Sequence, residues 1–103
     1  MIALNVTNQD NGEFLFSGEL NRNTVVNGWP EGKKLLSQLK QSNQKARLNL
    51  AKISHIDTAG LAWLVNLVAE QNKLGQEITL TNYSPALLKL AKISDVDSLL
   101  PLE

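Results

Sequence analysis

Apolar and polar residues alternate at the start of the chain, where Ile2, Leu4 and Val6 are separated by Ala3, Asn5 and Thr7. A period of two predicts a strand with one face buried. Asp10-Asn11-Gly12 is a turn signal, and "EFLFSG" from Glu13 reads as a second strand close enough to form an antiparallel hairpin. The stretch "NRNTVVNGWPEGKK" is less regular. Asn23 or Thr24 is placed to cap a helix, but Gly28, Pro30 and Gly32 oppose a regular one, because proline lacks a donor and clashes with the preceding turn. A short or kinked first turn is expected, with the regular part from about residue 30 to residue 41 and a stripe of Leu35, Leu36 and Leu39.

Alternation returns in "ARLNLA" at 46–51, with Leu48 and Leu50 on one side and Arg47 and Asn49 on the other. A long helix is predicted from about Thr58 to Leu74, stopped by Gly75. "EITLT" at 77–81 reads as a strand. Ser84-Pro85 then opens a helix carrying Leu87, Leu88, Leu90 and Ile93, and the tail "SDVDSLLPLE" adds a short turn or strand. The order is β-β-α-β-α-β-α, and alternating strands and helices imply parallel crossovers. Strands buried on both faces would be near-continuous apolar runs, whereas these are apolar on one side. The expected fold is therefore α/β: a two-layer mixed β-sheet with helices mainly on one face.

At 103 residues the chain suits one domain spanning 1–103, able to bury roughly 65% of its unfolded surface. It has no cysteine, which excludes disulfides, thiol catalysis and cysteine metal sites and fits a reducing compartment. Ten basic residues balance ten acidic ones, and "GKK" at 32–34 holds the only adjacent basic pair, so binding driven by phosphate neutralisation is not expected. The N-terminus has neither a basic nor a long apolar segment of a secretory signal. No stretch reaches the roughly 18 apolar residues of a membrane span. A soluble intracellular domain is expected, held at a membrane, if at all, by a partner.

Reactive chemistry is sparse. The single histidine, His55, lies two residues before Asp57 and beside Ser54. A hydrolase reading would need a serine within about 3 Å of the imidazole and an oxyanion hole, and adjacency in sequence is poor geometry for that. A zinc site lacks a convincing ligand set. Neither a GxxxxGK[ST] loop nor GxGxxG occurs, so no nucleotide and no other cofactor is expected. Asp95 and Asp97 read as a solvated turn, one of them in a capping role. Trp29, beside the first helix, reads most simply as a ring over the core edge.

The helix after Asp57 is more informative. On a wheel of about 100° per residue, Leu61, Leu64, Val65 and Val68 form a core stripe, with Trp63, Leu67 and Leu74 on an adjoining side. The apolar arc spans roughly 200°, about twice what core packing alone requires. The surplus either packs on neighbouring helices or forms a partner surface. Asp57 or Thr58 caps this helix, and a hydroxyl at its positive end beside an apolar flank suits a docking site that a phosphate would switch.

"ISHIDTAGLAWL" resembles the signature of STAS domains: Asp-Ser/Thr, a small residue, Gly-Leu and an apolar helix, after a strand of the "LNLAKIS" kind. "FLFSGELNRNTV" is similar to that family's second strand and the lead into its first helix. The resemblance covers nearly the whole chain. "SGEL", a tryptophan near the first helix, Asp-Thr rather than Asp-Ser, and an ending of the "LAK…LLP" kind resemble the single-domain STAS subunits of Mla-type phospholipid transporters. That resemblance implies a non-enzymatic accessory subunit, bound to the cytoplasmic ATPase of an ABC transporter that moves phospholipid between the membranes of a Gram-negative cell. It implies a cytoplasmic location at the inner membrane through that partner, and a role in outer-membrane lipid asymmetry. By the same resemblance the partner-binding residues are Asp57, Thr58, Ala59, Gly60 and Trp63, and the surplus arc adds Leu67. The alternative is an anti-sigma-factor antagonist phosphorylated at Thr58. A hydrolase built on Ser54, His55 and Asp57 is the third reading.

Overall fold

A computed structural model describes residues 4–9, 12–25 and 45–102. Ile2, Trp29, the predicted regular helix at 30–41 and its leucine stripe lie outside them. Two strands open the fold, β1 (Leu4–Asn8) and β2 (Glu13–Leu20), paired antiparallel with Leu4 opposite Gly18 and Asn8 opposite Phe14. A four-residue helix follows, α1 (Arg22–Val25), then β3 (Ala46–Ile56), α2 (Thr58–Lys73), β4 (Ile78–Thr81), α3 (Pro85–Ile93) and a 3-10 turn at Asp97–Leu99. The sheet order is β1-β2-β3-β4, with β3 parallel to both β2 and β4. It is the mixed sheet that the alternation and crossover rules imply.

Alternation places the core. Phe14, Leu48 and Leu80 stand in register across β2, β3 and β4, and all three are buried. Leu61, Leu64, Leu67 and Val68 of α2 and Leu87 and Ala91 of α3 join them in one cluster, so these helices cover one face of the sheet. Burying a leucine such as Leu64 stabilises by about 1.5–3 kcal/mol.

Strand β3 runs five residues past the "ARLNLA" alternation, to Ile56. Its register against β2 slips twice: Leu15 faces Asn49 but Ser17 faces Lys52, and Gly18 faces Ile53 but Glu19 faces His55. Each slip adds one residue on β3, as a β-bulge does. The inward positions therefore shift from Leu48 and Leu50 to the half-buried Ile53 and Ile56, and the period of two disappears from the sequence. Two side chains satisfy backbone groups at the slips. Asn49 accepts from the Ala51 N–H at 3.0 Å, and the Ser54 hydroxyl donates to the Gly18 carbonyl at 3.1 Å.

The helix ends follow local chemistry, with two corrections to the sequence reading. Asn21, rather than Asn23 or Thr24, caps α1: its Oδ1 accepts from the N–H groups of Asn23 and Thr24 at 3.0 and 3.1 Å, while Thr24 Oγ1 accepts from the Asn21 N–H at 3.0 Å. That is a reciprocal capping box with threonine in the return role. Ser84 caps α3 as expected, accepting from the Leu87 N–H at 3.1 Å, with Pro85 in the first turn. Ile93, the last residue of α3, is 73% exposed, since it lies about 120° around the helix from Leu87. Neither Asp95 nor Asp97 caps the 3-10 turn, which has no side-chain cap bond. Beyond it, the buried Leu100 anchors the chain, and the Leu80 N–H donates to the Pro101 carbonyl at 2.9 Å, extending the sheet beside β4. Among the described residues no helix is long and apolar enough to cross a membrane.

Candidate functional site

The tip of α2 is built on the end of β2. The Leu20 carbonyl accepts from the Asp57 N–H at 3.3 Å, which closes the corner between β3 and the helix. Gly60 is buried directly against Leu20, and a Cβ there would overlap the Leu20 carbonyl. This close approach pulls the first turn of α2 onto the sheet. It also sets the buried row of the helix: Gly60, Leu64, Leu67 and Gln71, flanked by Leu61 and Val68.

Asp57 adopts extended backbone (φ −123°, ψ −176°) before the first helical residue. Its two carboxylate oxygens are divided between two helices. Oδ1 accepts from the Gly60 N–H at 2.9 Å, capping α2, and Oδ2 accepts from the Arg22 N–H at 3.1 Å, at the start of α1. Partial burial pushes the carboxyl pKa up. The N–H groups of Gly60, Arg22 and Ala59, with the charge of His55, outweigh it and hold the group below its ordinary value. Of the two candidate caps in "DTAG", Asp57 therefore holds the helix. Thr58, its first residue, is exposed.

A shallow groove of about 180 Å³ lies between α2, from Thr58 onward, and the segment after α3. Leu61, Ala62 and Val65 form its helix wall, with Asn66 at the far end, and Ser94 and Val96 after α3 form the opposite wall. Thr58 and Asn66 thus bracket an apolar floor with polar groups.

The expected partner residues do not share one surface. Thr58 is exposed and Ala59 is half-buried. Gly60 and Leu67 are buried: Gly60 packs on Leu20, and Leu67, 4% exposed, belongs to the core. Trp63 is half-buried, its ring tilted 58° to Phe16 with centroids 6.3 Å apart, and lies about 140° around the helix from Thr58. Of the expected core stripe, Leu61, Leu64 and Val68 are buried and Val65 is half-buried against the core, and Leu67, expected on the adjoining side, joins them. Close contact at Gly60 turns Leu67 inward and leaves Val65 at the core edge, where it also lines the groove. Missed altogether were Ala62, Asn66, Ser94 and Val96. Ala62 and Val65 stand four and seven residues after Thr58, one helix face, which is the signal that would have found two of them.

Ser54, His55 and Asp57 do not assemble a proton relay. The Ser54 hydroxyl is engaged by Gly18, the Asp57 carboxylate by two backbone amides, and His55 is an exposed strand residue.

Two comparisons bear on this architecture. The family model described as "Mlab, STAS domain" matches residues 16–101. The intermembrane phospholipid transport system binding protein MlaB of Haemophilus influenzae is 35% identical over 80 residues, which cover 78% of this chain and 75% of that relative.

Proposed function

This chain belongs to the STAS domain family, and from that premise we propose that it is a non-enzymatic accessory subunit of an intermembrane phospholipid ABC transporter, binding the transporter's cytoplasmic ATPase. Its similarity to a phospholipid transport binding protein supports the system. The observation that carries the binding role is the exposed Thr58 hydroxyl at the tip of α2, continuous with the apolar groove of Leu61, Ala62, Val65 and Val96. The partner's ATPase would supply the nucleotide site. The subunit would reside in the cytoplasm and reach the inner membrane through that complex. Thr58 and Ala62 are its central contacts, and Ala59 and Trp63 border the surface.

Co-purification of the chain with its cognate ATPase tests this reading. Thr58→Glu and Ala62→Glu each place a carboxylate where the partner would desolvate it. A charge buried without a partner costs several kcal/mol, so binding should fall by about a hundredfold or more. Both sites are exposed, so stability should change by no more than about 0.5 kcal/mol. Wild-type binding by both folded variants would remove this surface from the interface.

The exposed hydroxyl also fits an anti-sigma-factor antagonist phosphorylated at Thr58. It ranks second because the chain carries threonine where those antagonists typically carry serine, and because its similarity is to a phospholipid transport protein. Stable phospho-Thr58 in cells, found by mass spectrometry, would reverse this preference.

A further inference from the structure

The division of the Asp57 carboxylate between two helices is more than a cap requires. Capping α2 uses one oxygen, and serine or asparagine does it about as well as aspartate. The second oxygen reaches across 35 positions of sequence to the Arg22 N–H, and α1 packs against α2. Asn21 independently caps α1 through Asn23 and Thr24, so the Asp57 bond is not needed to start that helix. What the bond adds is relative position. Leu20 fixes the common root of both helices: its carbonyl accepts from the Asp57 N–H, and its backbone abuts Gly60. Oδ2 then ties the first amide of α1 to the residue before Thr58. Arg22 and Asn23, both exposed, stand on the α1 side of that tie, and Thr58 on the α2 side.

We propose that Asp57 is a positioning residue for partner binding: through Oδ2 it sets the tip of α1 beside the tip of α2, so that the partner meets a two-helix rim of Arg22, Asn23 and Thr58. This rests on the docking reading given above. Asp57 acts through its two oxygens, each of which accepts from a backbone amide of a different helix.

Two substitutions separate the oxygens. Asp57→Asn keeps an acceptor for Gly60 and turns an NH2 group, a donor, towards the Arg22 N–H. Asp57→Ser keeps the cap with a single oxygen too short to serve both helices. Amide hydrogen exchange on the free chain is read first. Exchange at Arg22–Val25 should quicken in both variants, while Leu61–Val68 of α2 keeps its protection. Affinity for the cognate ATPase should then fall by about tenfold or more, the size of one charge-assisted hydrogen bond. Unchanged exchange at Arg22–Val25 overturns the tie. Loss of protection along α2 in both variants reduces Asp57 to a cap and overturns the positioning role. Quickened α1 exchange with wild-type affinity shows that the partner does not use the rim, and overturns the proposal while leaving the docking reading in place. If the wild type does not bind, the docking reading fails and the positioning role falls with it, while exchange still decides whether the tie exists.

Discussion

Two residues at the start of α2 do different work from what their types suggest. Gly60 is a contact residue whose missing side chain lets a helix touch a strand carbonyl. Gly60→Ala should cost about 1–3 kcal/mol or more by overpacking, because the clash is with backbone and only helix displacement relieves it. A thermal midpoint within a degree of wild type would show that the tip moves freely. Asp57 contributes stability through a carboxylate held below its ordinary pKa of 3.8. The unfolded chain binds that proton more tightly, so the contribution is complete above the ordinary value and is lost as pH falls through the lower, folded one. Unfolding free energy of the wild type should fall faster than that of Asp57→Asn on acidification from about pH 5 to about pH 2.5. Parallel profiles would mean the carboxylate is not selectively stabilised by folding.

The elements show how local rules and packing share control. At α3, local chemistry decides the start: Ser84 accepts from Leu87 and Pro85 follows. Ser84→Ala should cost about 1 kcal/mol, and Ser84→Asp should restore most of it, both read as shifts of thermal midpoint. Equal loss in both variants would assign the effect to something other than the cap. At α2, packing decides which edge of the apolar arc turns inward. Apolar residues surround much of this helix, and contact of Gly60 with Leu20 selects the edge that carries Leu67. The same contact explains a buried Gln71, carried inward on the row of Gly60, Leu64 and Leu67. At β3, two extra residues break the alternation that marks a strand, and the ladder continues past them because neighbouring side chains engage the backbone.

In the whole molecule, the sheet and two helices share one cluster of buried side chains, and the candidate surface lies at its rim. The groove is a product of the assembled fold, since Thr58 and Val65 come from α2 while Ser94 and Val96 follow α3. The C-terminal segment supports that arrangement through Leu100 in the core and Pro101 beside Leu80. The loss of ATPase binding expected from Thr58→Glu and Ala62→Glu belongs to this scale. It depends on surface that exists only when α2 and the segment after α3 lie side by side.

Strand alternation, the Ser84-Pro85 start, the Gly75 stop and the "DTAG" helix tip were readable from the chain, because each depends on residues within a few positions of one another. They sufficed for the mixed two-layer α/β fold, and with the quoted motifs for the family. The core positions Leu61, Leu64 and Val68 of α2 were readable too, whereas the burial of Leu67, the half-buried place of Trp63 against Phe16, and the meeting of Ser94 and Val96 with Thr58 were decided by tertiary contacts. The tie from Asp57 to Arg22 was decided the same way. These depend on which backbone approaches which, a contest among distant segments. A wide apolar arc marks the middle of the buried face but not which of its edges turns inward.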